Sequence, residues 1–250
     1  MWADYLEPKV LRRIQSMGIV TVNIAMDDRL PHHWQRSQGR RIGAYGLADT
    51  TDLVLNTSPE CCVRYLLTGC PAIHWALAAD PTVFLPAKQR DIEICFVGSA
   101  YGNRAQLVTR LEEKGFRVSA FGAGFPLGAI RNQEAAGIFG RSRIALGIGT
   151  VGHSRRIVTM KLRDFEATMA GCAYITNRND DLRPYFEEGK EIVYYDTFSD
   201  LVEKLAQLRG NGNMCEMLGR NAAARCRREH TWDKRFEELF QFMGLLNVEE

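Results

Sequence analysis

An α/β fold built from two parallel-sheet units is what this sequence predicts, and three observations carry the prediction. Short apolar runs at 53–57, 92–97, 143–148 and 172–176 alternate with helical stretches of about ten residues, and strands separated by helices pair in parallel. Glycines at 18, 69, 115 and 171 stand where helical periodicity stops and an apolar run begins, which is how helices commonly end. A stretch opened by Asp80-Pro81 and running to about Arg90 then separates a first group of elements from a second that starts at Asp91.

In the first group, Val10, Leu11, Ile14 and Met17 recur at helical spacing from Pro8 to Met17. Residues 19–26 read as a buried strand ending at Asp27-Asp28, and residues 29–46 as irregular. Leu53 to Thr57 is a strand. Ser58-Pro59 supplies a cap and a first-turn proline for a helix over 60–68, and residues 71–75 return as a strand.

The second group runs strand 92–97, loop 98–102, helix 103–114 and strand 116–121. A glycine-rich turn at 122–128 leads to helix 132–139, strand 143–148 and a loop over 149–159. Helix 160–170, strand 172–176, a short helix 180–186 and strand 191–195 follow. Helices over 198–209 and 214–229 precede a last helix from Thr231 to about Leu246.

Composition bounds the function classes. Of 250 residues, 46% are hydrophobic and 25% charged, the balance of a soluble globular chain. A net charge of +2 gives no reason to expect a nucleic-acid partner. The seven cysteines include no CxxC pair and sit mostly in apolar runs, where Cys behaves as a small hydrophobe. No apolar run approaches the ~18 residues that span a bilayer, and residues 1–5 carry no signal-peptide pattern. A cytoplasmic location is the expectation.

In open parallel sheets, ligands bind beyond the carboxyl ends of the strands. Gly98, Gly122, the 149–159 loop, Thr176 and, in the first group, Asp27-Asp28 all fall there. Asp27 can act as a base or bind acceptor hydroxyls, or it can cap a turn. Arg104 opens a helix and can face an anion or solvent. His153 can polarise a phosphate from its loop. His32 and His33 are adjacent and make poor joint ligands, and with no HxH, HExxH or Cys/His spacing no metal site is expected. The turn Gly122-Ala-Gly-Phe-Pro-Leu-Gly128 is not a dinucleotide fingerprint, because its third glycine is misplaced and Pro126 interrupts the helix start.

The most informative stretch is Lys161-x-Arg163-Asp-Phe-Glu166, then Gly171 and Thr176, followed by Glu187-x-Gly189-Lys-Glu191 and Thr231-Trp232…Arg235. With Phe96-Val-Gly98…Arg104…Leu107…Leu111…Gly115 and Phe121-Gly122, this ordered series resembles the carboxy-terminal domain of GT-B glycosyltransferases, in particular the spore-maturation CgeB-like group. It covers residues 91–245 well and 5–86 more loosely. The resemblance implies a GT-B-like pair of Rossmann-like domains: an incomplete acceptor-side domain over 1–90, a nucleotide-sugar donor domain over 91–230, and a carboxy-terminal helix over 231–250 crossing back to the first.

It also implies a function: a glycosyltransferase, independent of metal, moving a sugar from a nucleotide-diphosphate donor to a glycan, protein or small-molecule acceptor. No cofactor beyond that donor substrate is expected. Glu166 would bind the donor ribose, Lys161 and Arg163 would lie near the diphosphate, Gly98 would let its loop approach it, and Gly122 would flank the base. Arg104 joins these donor-side candidates, and Asp27 and His153 stand as the catalytic ones. Retaining relatives carry a second acid eight residues before the ribose-binding Glu, where this chain has Val158, so the stereochemical outcome stays open. Trp232, Phe236, Leu239, Phe240, Phe242 and Met243 are expected to form a packing face of the last helix. The shortness of the first unit leaves room for a partner chain completing it, or for a non-catalytic module that keeps only the donor fold.

Overall fold

A computed structural model describes residues 7–30, 36–37, 40–41, 44–154 and 156–246. The chain divides after Ala76 into two compact units. His32, His33 and Arg155 lie outside the described residues. None of the described helices is long and apolar enough to cross a membrane.

The first unit holds α1 (Pro8–Ser16), β1 (Val22–Ala25), a two-stranded ribbon of β2 (Arg36–Ser37) and β3 (Arg40–Arg41), a 3-10 turn at Ala44–Thr50, β4 (Leu53–Asn56), α2 (Pro59–Leu66) and β5 (Ala72–His74). Its sheet runs β1-β4-β5, all parallel. Tyr65, Val54, Cys62 and Ala25 form its core, while Val22 and Ile24 on the other face of β1 stay exposed. The strand expected over 19–26 is shorter at both ends. Thr21 donates its N–H to the carboxylate of Asp52 at 2.7 Å rather than to a neighbouring strand. At the far end, Asp27 turns into the left-handed region at φ 64°.

The second unit carries β6 (Ile92–Val97), α3 (Arg104–Glu113), β7 (Val118–Phe121), α4 (Asn132–Arg141), β8 (Ser142–Gly147), α5 (Leu162–Met169), β9 (Ala173–Asn177), β10 (Ile192–Tyr195), α6 (Phe198–Gly210), α7 (Gly212–Glu229) and α8 (Trp232–Phe242). Its five strands are parallel in the order β10-β9-β8-β6-β7. Counted within the unit this is the doubly wound order 2-1-3-4-5, whose switch point lies between the first and third strands. Here those strands are β6 and β8.

The strands are apolar throughout because helices cover both faces. Ile94, Phe96, Ile144, Leu146 and Ile175 meet Val108 and Leu111 of α3 and Leu201 and Leu205 of α6 in one core. Side-chain caps start several helices: Thr197 accepts from Asp200 N–H, Asn211 from Met214 and Thr231 from Lys234, each satisfying an otherwise orphaned donor.

Three expectations change here. The 77–90 stretch belongs to the second unit, tied in where Ala79 N–H donates to His230 O at 3.1 Å and Ala87 N–H to Gly140 O at 3.1 Å. The helix expected over 180–186 reduces to a 3-10 turn at Asp180–Leu182, because Pro184 lacks an N–H and disfavours helical backbone before it. On α8 the buried residues are Arg235 and Leu239, whereas Phe236 and Phe240 of the expected packing face are each 39% exposed.

Candidate functional site

One side chain bridges the two strand ends at the switch point. Arg163, in the first turn of α5, donates from one terminal nitrogen to the carbonyl of Val97 at the end of β6. Its other terminal nitrogen donates to the carbonyl of Ile148, just past β8, at 2.9 Å. The planar fork of a guanidinium suits two carbonyls at once. The same group stacks over the Phe96 ring, 4.7 Å from its centroid, and is buried. Arg163 is expected beside a diphosphate; both its terminal nitrogens are engaged by the strand ends, while its Nε is buried without a hydrogen-bond partner among the described residues.

That arrangement explains two glycines. A Cβ at Gly98 would come within 2.7 Å of Arg163 Nη1. One at Gly122 would meet the carbonyl oxygen of Gly98 at 2.1 Å, so the loops after β6 and β7 touch backbone to backbone. Gly98 N–H donates to Phe121 O at 2.8 Å across the same contact. Arg104 leans inward as well, with Nη1 donating to Ser99 O at 3.4 Å and its guanidinium 6.0 Å from the Phe96 centroid.

The loop between β8 and α5 packs on the loop after β6. His153 is exposed, with its ring centroid 5.8 Å from that of Tyr101. Thr150 Oγ1 donates to Asn103 Oδ1 at 3.2 Å. Gly98, Arg104, Gly122, His153, Lys161, Arg163 and Glu166 thus all belong to one edge of one sheet, whereas Asp27 belongs to the first unit, at the carboxyl end of β1.

Glu166 stands apart electrostatically. It lies one turn beyond Arg163 on α5, half-buried, and the i−3 ion pair that the spacing allows does not form; its carboxylate has no hydrogen-bond or ion-pair partner among the described residues. Burial pushes its pKa up to about 7, only partly countered by the nearby charge of Arg163, with Asp164 adding to the rise. Such a carboxylate, desolvated but unpaired, is a common mark of a functional position.

Asp164, in the same motif, proves structural. It accepts from the backbone N–H of Lys161 at 2.7 Å, starting α5, and from the hydroxyl of Tyr174 on β9. Burial raises its pKa, and these donors oppose the rise. In the first unit the neighbour of Asp27 is equally committed: Asp28 is buried and accepts from Asn56 Nδ2 at 2.7 Å and Tyr65 OH at 2.8 Å. All seven cysteines are buried.

A cavity of about 440 Å³ opens at the carboxyl ends of β8, β9 and β10, with Arg110, Arg156, Asn177 and Arg178 in its wall. Val158 lines it, but none of the eight candidate residues does. Glu166 is thus not in the wall of this cavity. Sequence reasoning passed over Asn177 and Arg178, although polar residues directly after strand 172–176 stand where such sheets bind ligands.

A model of a glycosyl transferase-like family matches residues 104–241. No curated protein matches the chain. Among solved structures, Anabaena HepE in complex with UDP and glucose aligns at 12% identity and TM-score 0.70, covering 96% of this chain and 76% of that one. Sucrose-phosphate synthase from Thermosynechococcus elongatus aligns at 12% identity and TM-score 0.63, over 95% and 70%. TarM aligns at 9% identity and TM-score 0.64, over 92% and 51%. These likenesses establish the GT-B fold, and with the family match over more than half of its length the chain belongs to the glycosyl transferase-like family.

Proposed function

We propose that this glycosyltransferase moves a sugar from a nucleoside-diphosphate donor to an acceptor hydroxyl or amine without a metal ion, with the donor held at the carboxyl edge of the five-stranded sheet. The observation that carries the reading is Glu166, a half-buried carboxylate with no hydrogen-bond or ion-pair partner among the described residues and a pKa pushed up to about 7 by burial. Two ribose hydroxyls donating to it would supply the hydrogen bonds that the protein does not, and charge-assisted bonds of this kind are the strong ones. The structure of HepE with UDP and glucose supports trying a uridine nucleotide first. The order of the motifs from Phe96 to Arg235 supports the finer placement with the spore-maturation CgeB-like group.

In the proposed reaction, the bond from the anomeric carbon to the diphosphate oxygen breaks and a bond to the acceptor atom forms. The acceptor proton passes to a base, for which Asp27 and His153 are the candidates. Negative charge develops on the leaving diphosphate. The positive ends of α3 and α5 both begin at this edge, and Lys161 precedes α5, so that charge meets helix N-termini and cations. Arg163 then acts by fixing the floor of the site. Calorimetric titration of UDP and GDP into the wild-type chain and Glu166→Ala tests the reading. Binding by wild type and its loss in the variant are expected; absence of binding by wild type to either nucleotide overturns it.

A further inference from the structure

His230 closes α7, and its imidazole is buried with both ring nitrogens committed. Nδ1 lies 3.2 Å from Nη2 of Arg235 on α8. A guanidinium only donates, so Nδ1 is the acceptor there and the ring proton sits on Nε2. That nitrogen lies 3.0 Å from the carbonyl oxygen of Tyr185, which only accepts. The partners thus fix one neutral tautomer. A second proton has one place to go, Nδ1, and there it sets two donors and two positive charges against each other at hydrogen-bond distance.

Several segments meet at this residue. Its ring stands edge to face with Phe165 of α5, Tyr185 and Phe186, at centroid distances of 5.6, 5.4 and 5.5 Å. Its carbonyl accepts from Ala79 N–H at 3.1 Å. Arg235 and Leu239 are the buried residues of α8, so one of the two anchors of that helix rests on the imidazole.

The surrounding charges favour the neutral ring. Arg235 faces it from α8, and Arg225 acts on it from α7. The nearby carboxylates already have cations: Glu229 pairs with Arg225 and Arg228, and Glu238 with Arg235. The Tyr185 side offers a carbonyl and a ring whose face is taken by the Arg235 guanidinium, 5.7 Å from its centroid. The 77–79 segment meets His230 through backbone, and α5 through the uncharged Phe165. Burial, with the charges of Arg235 and Arg225, holds the His230 pKa below the ordinary histidine range, against its hydrogen bonds to the Tyr185 and Glu229 backbone.

We infer that the joint between α7 and α8 is an acid-released latch: a proton arriving at Nδ1 of His230 drives Arg235 out of its buried position and frees α8, while the sheet stays folded. Glu238, exposed and 3.5 Å from Arg235, receives the displaced guanidinium. The contribution of His230 is whole above the unfolded pKa of ~6.5 and is lost as pH falls below it. That sign is opposite to the one burial gives Glu166, and the latch does not depend on the donor role proposed for Glu166.

The test is amide hydrogen exchange of the full chain at pH 7.5 and pH 5.0, each rate divided by the intrinsic rate of an unfolded amide at that pH. On acidification the protection of residues 232–242 in wild type is expected to fall about tenfold or more, the worth of one charge-assisted hydrogen bond, while that of β6 and β8 holds. In His230→Gln, which has no proton to gain, α8 is expected to be equally protected at both values. Nitrogen NMR of wild type at pH 7.5 gives a reading that no variant's folding can spoil: the ring proton on Nε2 supports the latch, and on Nδ1 overturns it. Arg235→Gln puts a neutral amide in place of the cation, and His230 is then expected to titrate at higher pH than in wild type; an unchanged titration overturns the role of Arg235. Parallel loss of protection in α8 and the strands of wild type overturns the latch, as does an acid loss in His230→Gln equal to that of wild type.

Discussion

Gly98 and Arg163 occupy one another's only available space: a Cβ on Gly98 would lie 2.7 Å from the guanidinium that ties β6 to β8. The backbone of Gly98, at φ 153°, is also one that residues with a Cβ rarely adopt. Gly98→Ala therefore has to displace Arg163 or distort the loop, and a loss of about 2–4 kcal/mol is expected. Arg163→Ala leaves two buried carbonyls without their donor and is expected to cost a similar ~2–4 kcal/mol. The double variant is the sharper test, because losing Arg163 removes the 2.7 Å clash and leaves only the backbone strain and the 3.2 Å approach to the Phe96 ring. Urea denaturation should show the two losses to be clearly less than additive. Full additivity means the two residues do not meet.

Glu166 is predicted to be a stability liability that ligand binding redeems. Burial lifts its folded pKa from 4.5 to about 7, so between those values the folded chain holds a proton that the unfolded chain has released. The group's contribution is therefore fully present below pH ~4.5 and is lost as pH rises through ~7. Glu166→Gln removes that loss and should be more stable than wild type at pH 8, by up to about 3 kcal/mol, with the gain gone at pH 5. Nucleotide affinity should run the other way. If ribose hydroxyls donate to the carboxylate, wild-type binding tightens from pH 6 to pH 8 and releases protons, whereas the Gln variant binds weakly with no pH slope. Thermal melts at the two pH values and calorimetry in buffers of different ionisation heat check both halves. A flat wild-type affinity across that range contradicts the ribose contact.

The α/β alternation could be read from the chain because strands buried on both faces are written as apolar runs, and because glycines close the helices before them. The motif Lys161 to Glu166 could be read as a candidate site because polar residues at a helix start beyond a buried strand stand where such sheets bind ligands. Which of its charges face inward could not. Arg163, Asp164 and Glu166 share one short helix, and only the neighbouring strands decide that Arg163 bonds to Val97 and Ile148, that Asp164 meets Tyr174, and that Glu166 has no partner among the described residues. Long-range partners of this type leave no local signal.

Asp164 and Tyr174 form a buried pair whose cost should depend on pH. Burial raises the Asp164 pKa, and the Tyr174 hydroxyl opposes that rise by donating to the carboxylate. Tyr174→Phe removes the donor while keeping the ring, so the carboxylate keeps its burial with one fewer bond. A loss of about 1–3 kcal/mol is expected near neutral pH. Without the hydroxyl the folded pKa climbs further, and a raised acid loses stability as pH rises, so the deficit should be smaller at pH 5 than at pH 8. Denaturant titrations of wild type and variant at both values measure it, and a deficit independent of pH would show that the carboxylate is not the partner that matters.

Asp27 and Asp28 are adjacent, yet their substitution should have opposite consequences. Asp28 is buried, and one of its carboxylate oxygens accepts from both Asn56 and Tyr65. Asp28→Ala therefore takes the acceptor from two donors and is expected to cost about 1–3 kcal/mol, whereas Tyr65→Phe removes one of two donors to that oxygen and is expected to cost less. Asp27 is only half-buried and sits at φ 64°. Alanine there would add backbone strain of about 1 kcal/mol and blur any functional reading, whereas asparagine tolerates the left-handed conformation. Asp27→Asn is therefore the informative substitution. If Asp27 takes the acceptor proton, this variant keeps its UDP isotherm but loses turnover, measured as release of free nucleotide from UDP-glucose. His153→Ala serves as the matched control on the second unit, since the two residues compete for the same role. Loss of turnover in His153→Ala alone assigns the base to the loop after β8, and loss in neither removes both from the reaction.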